Sequence, residues 1–224
     1  MGWLDFFGKK ESAKAGFVKD YEALFVKGIP RMRPISQLNF IVLDTETTGL
    51  QPKTDYILSF GAVKVRGYTI SVQSALEIYL NAPLQNRESM KVHEIMHSHE
   101  AFSLQDFAKD MLGFIGTDIL VGHHIGFDIA MLEKALKPFG LKKLLNPLID
   151  TKDLAVRLEM GPNYDTRYGK PGEFSLDELC GRYHISLDDR HTAAGDAFLT
   201  AQLLLKLLKI AEQKGIQDYG ALMR

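Results

Sequence analysis

At 224 residues, with 46% hydrophobic and 25% charged side chains, the chain has the length and composition of one ordinary globular domain with a sizeable core. A formal net charge of −1 excludes a globally basic nucleic-acid binder, so any hold on phosphate is local or metal-borne. A lone cysteine excludes an internal disulfide, and no apolar stretch reaches the length of a membrane span.

Residues 1–36 form an N-terminal extension in which Phe17, Tyr21, Leu24 and Phe25 share one face at helical spacing. That face predicts a helix, either packed on the main domain or docking a partner; packing is the simpler expectation. Pro30 and Pro34 break the chain before the first strand. The run Phe40-Ile41-Val42-Leu43 is apolar without alternation, as in a central strand covered on both faces. Strands over 56–66 and 68–80 follow, the second with Ile70, Val72, Leu76, Ile78 and Leu80 at period two and Gly67 at the turn between them. These three segments predict an antiparallel meander.

The rest alternates: helix 103–116, strand 118–122, helix 128–137, strand 147–149, then helices near 151–159, 175–183 and 192–213. The fold class is α/β, a mixed sheet of about five strands flanked by helices on both faces. The main domain spans 37–212, and 213–224 is a C-terminal tail. Cys180, in the apolar pattern LDELCGRY, reads as a buried thiol. The turn-rich stretch 161–173 carries Arg167, Tyr168 and Lys170, a mixture suited to touching a nucleic-acid strand. The first residues lack the basic-then-apolar order of a secretory signal, so a cytoplasmic location and no membrane partner are expected.

Three distant segments bring acids to the ends of apolar elements. Asp44 and Glu46 lie two apart at the end of the first strand, so both side chains leave one face. An acidic strand end leading into the turn Thr47-Thr48-Gly49 is the bland alternative. Asp128 opens a predicted helix, where an Asp is also a preferred N-cap; Asp150 before Thr151 reads as a cap alone. His191 and Asp196 bracket the entry to the last helix. Carboxylates are hard donors that suit Mg²⁺, or Mn²⁺ in its place, and four of them suffice for two ions that clamp a phosphodiester displacement. The histidines at 93, 97 and 99 have no Cys beside them and form no HExxH helix, which speaks against zinc. His191 alone in the set has an unperturbed pKa suited to taking a proton from water.

FIVLDTETTGL, VGHHIGFD and RHTAAGDAFLTAQLLLKLL, in that order, resemble the three motifs of the DEDDh (DnaQ-like) 3′→5′ exonucleases. That ribonuclease-H-like family includes the epsilon subunit of bacterial DNA polymerase III. The resemblance runs from about Asn39 to Leu208 and identifies 37–212 as the exonuclease domain. It implies that Asp44, Glu46, Asp128 and Asp196 hold two metal ions and that His191 deprotonates the attacking water. Thr47, Thr48, Leu50, His93, His123 and Phe127 match positions near the terminal nucleotide. Asn is usual where His124 stands, Glu where Ser59 stands and Gly where Glu94 stands. The resemblance thus implies a metal-dependent enzyme releasing nucleoside monophosphates from the 3′ end of single-stranded nucleic acid, with DNA favoured. Trimming of RNA ends is the alternative, a non-catalytic nucleic-acid-binding module the third. A DNA polymerase or another replication or repair protein is the implied protein partner.

Overall fold

Phe40, Ile41 and Val42 are fully buried in the middle strand of a five-stranded sheet. The structure is a computed structural model that describes residues 14–80, 102–165, 167, 169–188 and 190–224. Strand β1 (Asn39–Thr47) pairs antiparallel with β2 (Ile57–Arg66), and β2 pairs antiparallel with β3 (Thr69–Tyr79). On its other side β1 runs parallel to β4 (Ile119–Gly122), and β4 runs parallel to β5 (Leu148–Asp150). The order β3-β2-β1-β4-β5 is the mixed sheet that the sequence predicts.

The helices are α1 (Gly16–Ala23), α2 (Leu104–Ile115), α3 (Gly126–Leu136), α4 (Thr151–Met160), α5 (Leu176–Arg182), α6 (Ala193–Gln213) and α7 (Tyr219–Leu222). Phe40 and Val42 face the layer built by α4, α5 and α6. Ile41 and Leu43 face the layer built by α1, α2 and α3. Alternate residues of β1 thus enter two different cores, which is why the run shows no polar face. Each such side chain contributes about 1.5–3 kcal/mol by leaving water.

The second hairpin departs from its predicted alternation. Register slips between Ala62 and Lys64, and the Ser74 hydroxyl fills the gap, accepting from the Lys64 N–H at 3.1 Å and donating to the Ser71 carbonyl. This bulge turns Val72 outward, to 62% exposure, while Ile78 stays buried.

Helix α1 is packed on the body. Val18 and Tyr21 are buried, and the Tyr21 hydroxyl donates to Asn146 Oδ1 at 2.6 Å while accepting from the Leu145 N–H. The helix stops at Ala23, so Leu24 and Phe25 lie beyond it and Leu24 remains exposed. The segment before β1 meets the end of the chain: the Ile35 N–H donates to the Gln217 carbonyl and the Tyr219 and Gly220 N–H groups donate to Arg33 and Arg31. Among the described residues no helix is long and apolar enough to cross a membrane.

Candidate active site

The parity of β1 divides its last residues between the two faces of the sheet. Asp44 and Glu46 project on the face covered by α6, and Asp196, in the first turn of α6, meets them there. One carboxylate oxygen from each of the three lies within 4.8 Å of the others. Thr45, between the two acids, points the other way. Its hydroxyl donates to Asp128 Oδ1 at 2.7 Å, so Asp128 approaches from the face of α3. Asp128 is buried there, and it is the strongest charged neighbour of Asp44.

The N-cap position of α3 is Ile125, which makes no side-chain cap, and Asp128 stands three residues further in. The expected capping role of Asp128 is therefore corrected. Its carboxylate accepts from the Thr45 hydroxyl and from backbone N–H groups of Thr45 and of its own residue. Asp150 does cap α4, accepting from the Lys152 N–H at 2.9 Å.

A glycine in β2 lets α6 come this close. Gly61 stands opposite Asp44 in the β1–β2 register, and a Cβ built on it would sit 2.1 Å from the Ala193 carbonyl carbon. Helix α6 starts at Ala193 with Thr192 as its cap, accepting from the Gly195 N–H at 3.0 Å. His191, just before the cap, has φ 68° and stands close enough to Glu46 to act on its carboxylate electrostatically. Histidine enters the left-handed backbone region more readily than most residues, and such positions recur at functional sites.

Arg190 was not singled out in the sequence, yet its guanidinium binds the Asp196 carboxylate and, through Nε at 2.7 Å, Asp177 at the start of α5. Its position one residue before His191 was the available signal; the partner thirteen residues away in sequence was not visible. Gly61 and Thr45 were missed for the same reason, since each acts on a neighbour brought by the fold.

Asp44, Glu46 and Asp128 hold their protons more tightly than usual. Burial, then the charges of Asp128, Asp196 and Glu46, push Asp44 well above the carboxylate range, with Arg190 opposing. Burial raises Asp128 to about 6 against the hydrogen bond from Thr45. Glu46 is raised by burial and by Asp196. Such a cluster binds a cation or protons, because like charges this close do not ionise together unaided.

Around the acids, Thr48 and Asp55 brace the loop after β1. The Thr48 hydroxyl donates to Asp55 Oδ1 at 3.1 Å, and Asp55 accepts from the Gln51 N–H at 2.7 Å. The Thr47 hydroxyl donates to the Gly49 carbonyl, so both threonine hydroxyls are engaged within the loop. The loop leaves Leu50 85% exposed at the rim. Phe127 is half-buried against the α1–α3 layer. The His123 Nδ1 lies 3.0 Å from the Thr151 hydroxyl, and burial holds its ring down at about 4, hence neutral at pH 7. Its Nε2 is buried without a well-aligned hydrogen bond among the described residues. His124 takes a left-handed backbone with φ 62°, a conformation open to Asn and His more than to most residues. His93, with His97, His99 and Glu94, lies outside the described residues, as does Tyr168.

A sequence profile of the exonuclease family (RNase T type) matches residues 41–204. The PolC-type DNA polymerase III of Bacillus subtilis (strain 168) is 34% identical over 193 residues, 85% of this chain and 13% of that one. That of Clostridium perfringens (strain 13 / Type A) is 30% identical over 186 residues, 82% of this chain and 12% of the relative. The fold is similar to E. coli exonuclease I in complex with a dT13 oligonucleotide, with TM-score 0.60, 15% identity, and coverage of 80% of this chain and 43% of that chain. With a dA16 oligonucleotide the values are 0.60, 16%, 79% and 43%. The chain therefore spans 13% or less of these polymerases' length and 43% of the exonuclease I chains.

Proposed function

This chain belongs to the DnaQ-like DEDD exonuclease family, and on that premise we propose that it removes nucleotides one at a time from the 3′ end of single-stranded DNA. The observation that carries the reading is the convergence of Asp44, Glu46 and Asp196 within 4.8 Å, with Asp128 held beside them by Thr45. Oxygen donors packed this closely, with Asp196 buried and Asp44 and Glu46 half-buried, fit a hard divalent cation of the Mg²⁺ or Mn²⁺ kind. Asp44, Glu46, Asp128 and Asp196 are the residues that would hold it, and four carboxylates suffice for a pair of ions. What such ions supply is neutralisation of the scissile phosphate and a water made acidic enough to attack.

His191 receives the proton of that water on its imidazole. Its exposed position lets it return the proton to solvent. The new bond joins the water oxygen to phosphorus, and the bond to the upstream 3′ oxygen breaks. The departing 3′ oxygen takes the bond's electron pair and a proton from solvent, so the upstream strand keeps a 3′ hydroxyl and the last nucleotide departs as a 5′-monophosphate. Leu50 and Phe127 offer apolar contacts for the terminal base, which suits a strand held without reading its sequence. The likeness to PolC-type DNA polymerase III supports a working association with a DNA polymerase.

Single-turnover assays on matched DNA and RNA strands test this reading. Asp44→Ala and added chelator should each abolish mononucleotide release. His191→Ala should slow it about 10²–10⁴-fold, the usual contribution of a positioned proton acceptor, while metal binding measured by calorimetry persists. Release that survives chelation, or RNA cleaved faster than DNA, contradicts the proposal.

A further inference from the structure

Beyond the carboxylates, the same edge of the sheet carries a second cleft. It lies at the carboxyl ends of β4 and β5, lined among others by His124, Lys152, Tyr164, Arg167, Lys170 and Phe174, and it encloses about 430 Å³. That size is within the range of pockets that take nucleotide-sized ligands. Three cations and one carboxylate, Glu173, line it, although the chain as a whole carries −1. With Arg167 paired to Asp165, what the cleft offers an anionic strand is the two lysine ammonium groups of Lys152 and Lys170.

Its walls are built. Asp150 caps α4 and accepts from the His124 N–H at 3.2 Å, fixing one side. Ser175 caps α5, its N–H donates to the Gly172 carbonyl, and Glu173 accepts from the Lys170 N–H at 3.1 Å, fixing the other. Phe174 is buried beneath, with the Arg182 guanidinium stacked on its ring 5.2 Å from the centroid. Arg167 is committed to Asp165 through Nε and Nη2. The ammonium groups of Lys152 and Lys170 make no hydrogen bond or ion pair with any described residue. Tyr164 is half-buried, with a face on which a base can stack.

Because β1, β4 and β5 are parallel neighbours, the cleft stands one to two strand spacings, roughly 5–10 Å, sideways from the end of β1 that carries Asp44 and Glu46. We propose that this cleft seats the phosphodiester backbone of a single DNA strand upstream of the bond that is cut, with Lys152 and Lys170 on its phosphates. The proposal rests on the exonuclease reading and adds where the retained strand lies.

The test uses the whole chain and the variant Lys152→Ala/Lys170→Ala, with Lys152→Arg/Lys170→Arg as the conservative control. Binding of 5′-fluorescein-dT12 is followed by anisotropy in Ca²⁺, against salt. Hydrolysis is followed with dT12 and with thymidine 5′-monophosphate p-nitrophenyl ester, which has no upstream strand. The alanine pair should weaken dT12 binding by ~10-fold or more and flatten the salt slope by about 1.4, two contacts at ~0.7 each. Hydrolysis of the mononucleotide ester should stay within about twofold, and the arginine pair should restore dT12 binding.

Unchanged dT12 affinity and salt slope overturn the proposal. So does an equal loss on both substrates, which would make the lysines supports of the catalytic loop. A matching loss of inhibition by free thymidine 5′-monophosphate overturns it as well, since the cleft would then hold a mononucleotide. A wild-type chain that hydrolyses neither substrate contradicts the exonuclease reading, while the anisotropy arm still decides the cleft.

Discussion

Thr45 shows how much of the site depends on a side chain that has no chemistry of its own. Its hydroxyl, 2.7 Å from Asp128, together with backbone N–H groups, holds the fourth acid beside Asp44. Thr45→Val keeps the shape and removes the bond, and divalent-cation affinity should fall about 10–100-fold, the usual loss when a ligand's hydrogen-bonded support is removed. Calorimetry with Mn²⁺ reads this directly, and unaltered affinity contradicts the assigned role.

The acids also make the chain less stable than it need be. Asp44 is buried among Asp128, Asp196 and Glu46, so Asp44→Asn in chelator should raise Tm by about 2–4 °C, the shift that ~1 kcal/mol produces at this size. The same change should abolish the Tm gain on adding Mn²⁺. Asp128 has a folded pKa of about 6, above its ordinary value, so the native state takes up more protons than the unfolded chain between roughly pH 4 and 6. In chelator, its contribution to stability is present below that window and is lost as pH rises through 6. Urea titrations from pH 4 to 7 should show the loss, and Asp128→Asn should flatten it. A stability that rises through that window because of Asp128 contradicts the account.

At the scale of elements, helix α6 is placed by a glycine on another strand. A Cβ at Gly61 meets backbone atoms of Ala193, which cannot rotate away as a flexible side chain does. Gly61→Ala should therefore lift the first turn of α6, separating Asp196 from Asp44 and Glu46. We expect a loss of about 1–3 kcal/mol in denaturant unfolding, the range for overpacking, together with weakened Mn²⁺ binding. A variant as stable as wild type, with intact metal binding, contradicts that placement.

Element scale is also where sequence is most and least informative. Phe40 to Leu43 announced a doubly covered strand because burial on both faces removes alternation. The spacing of Asp44 and Glu46 announced a shared face because strand side chains repeat every two residues. The Ser71–Ser74 bulge, which turns Val72 outward, left no trace in that period, since a bulge changes facing without changing composition. The pairing of Arg190 with Asp177 and Asp196, and the contact of Gly61 with Ala193, depend on the tertiary approach of separate elements. Asp128 misled as a cap because helix α3 begins earlier, at Gly126.

For the whole molecule, two helical layers clamp one sheet, and the clustered carboxylates and the lysine-bearing cleft open on the same edge of it. The segment before β1 and the end of the chain hold each other through Ile35, Arg33 and Arg31 on one side and Gln217, Tyr219 and Gly220 on the other. That arrangement ties residues 31–35 and 217–220 to the layer that carries α6, and so to Asp196. The central claim is that this edge takes a strand by its 3′ end and cuts there. The direct measurement is a time course on one single-stranded DNA labelled at either end, in Mg²⁺. With the label on the last nucleotide, the first labelled product should be a mononucleotide. With the label at the 5′ end, a ladder of strands shortened one nucleotide at a time should appear, and both should vanish in Asp44→Ala. A mononucleotide as the first product of the 5′-labelled strand, or a ladder unaffected by Asp44→Ala, would contradict the account.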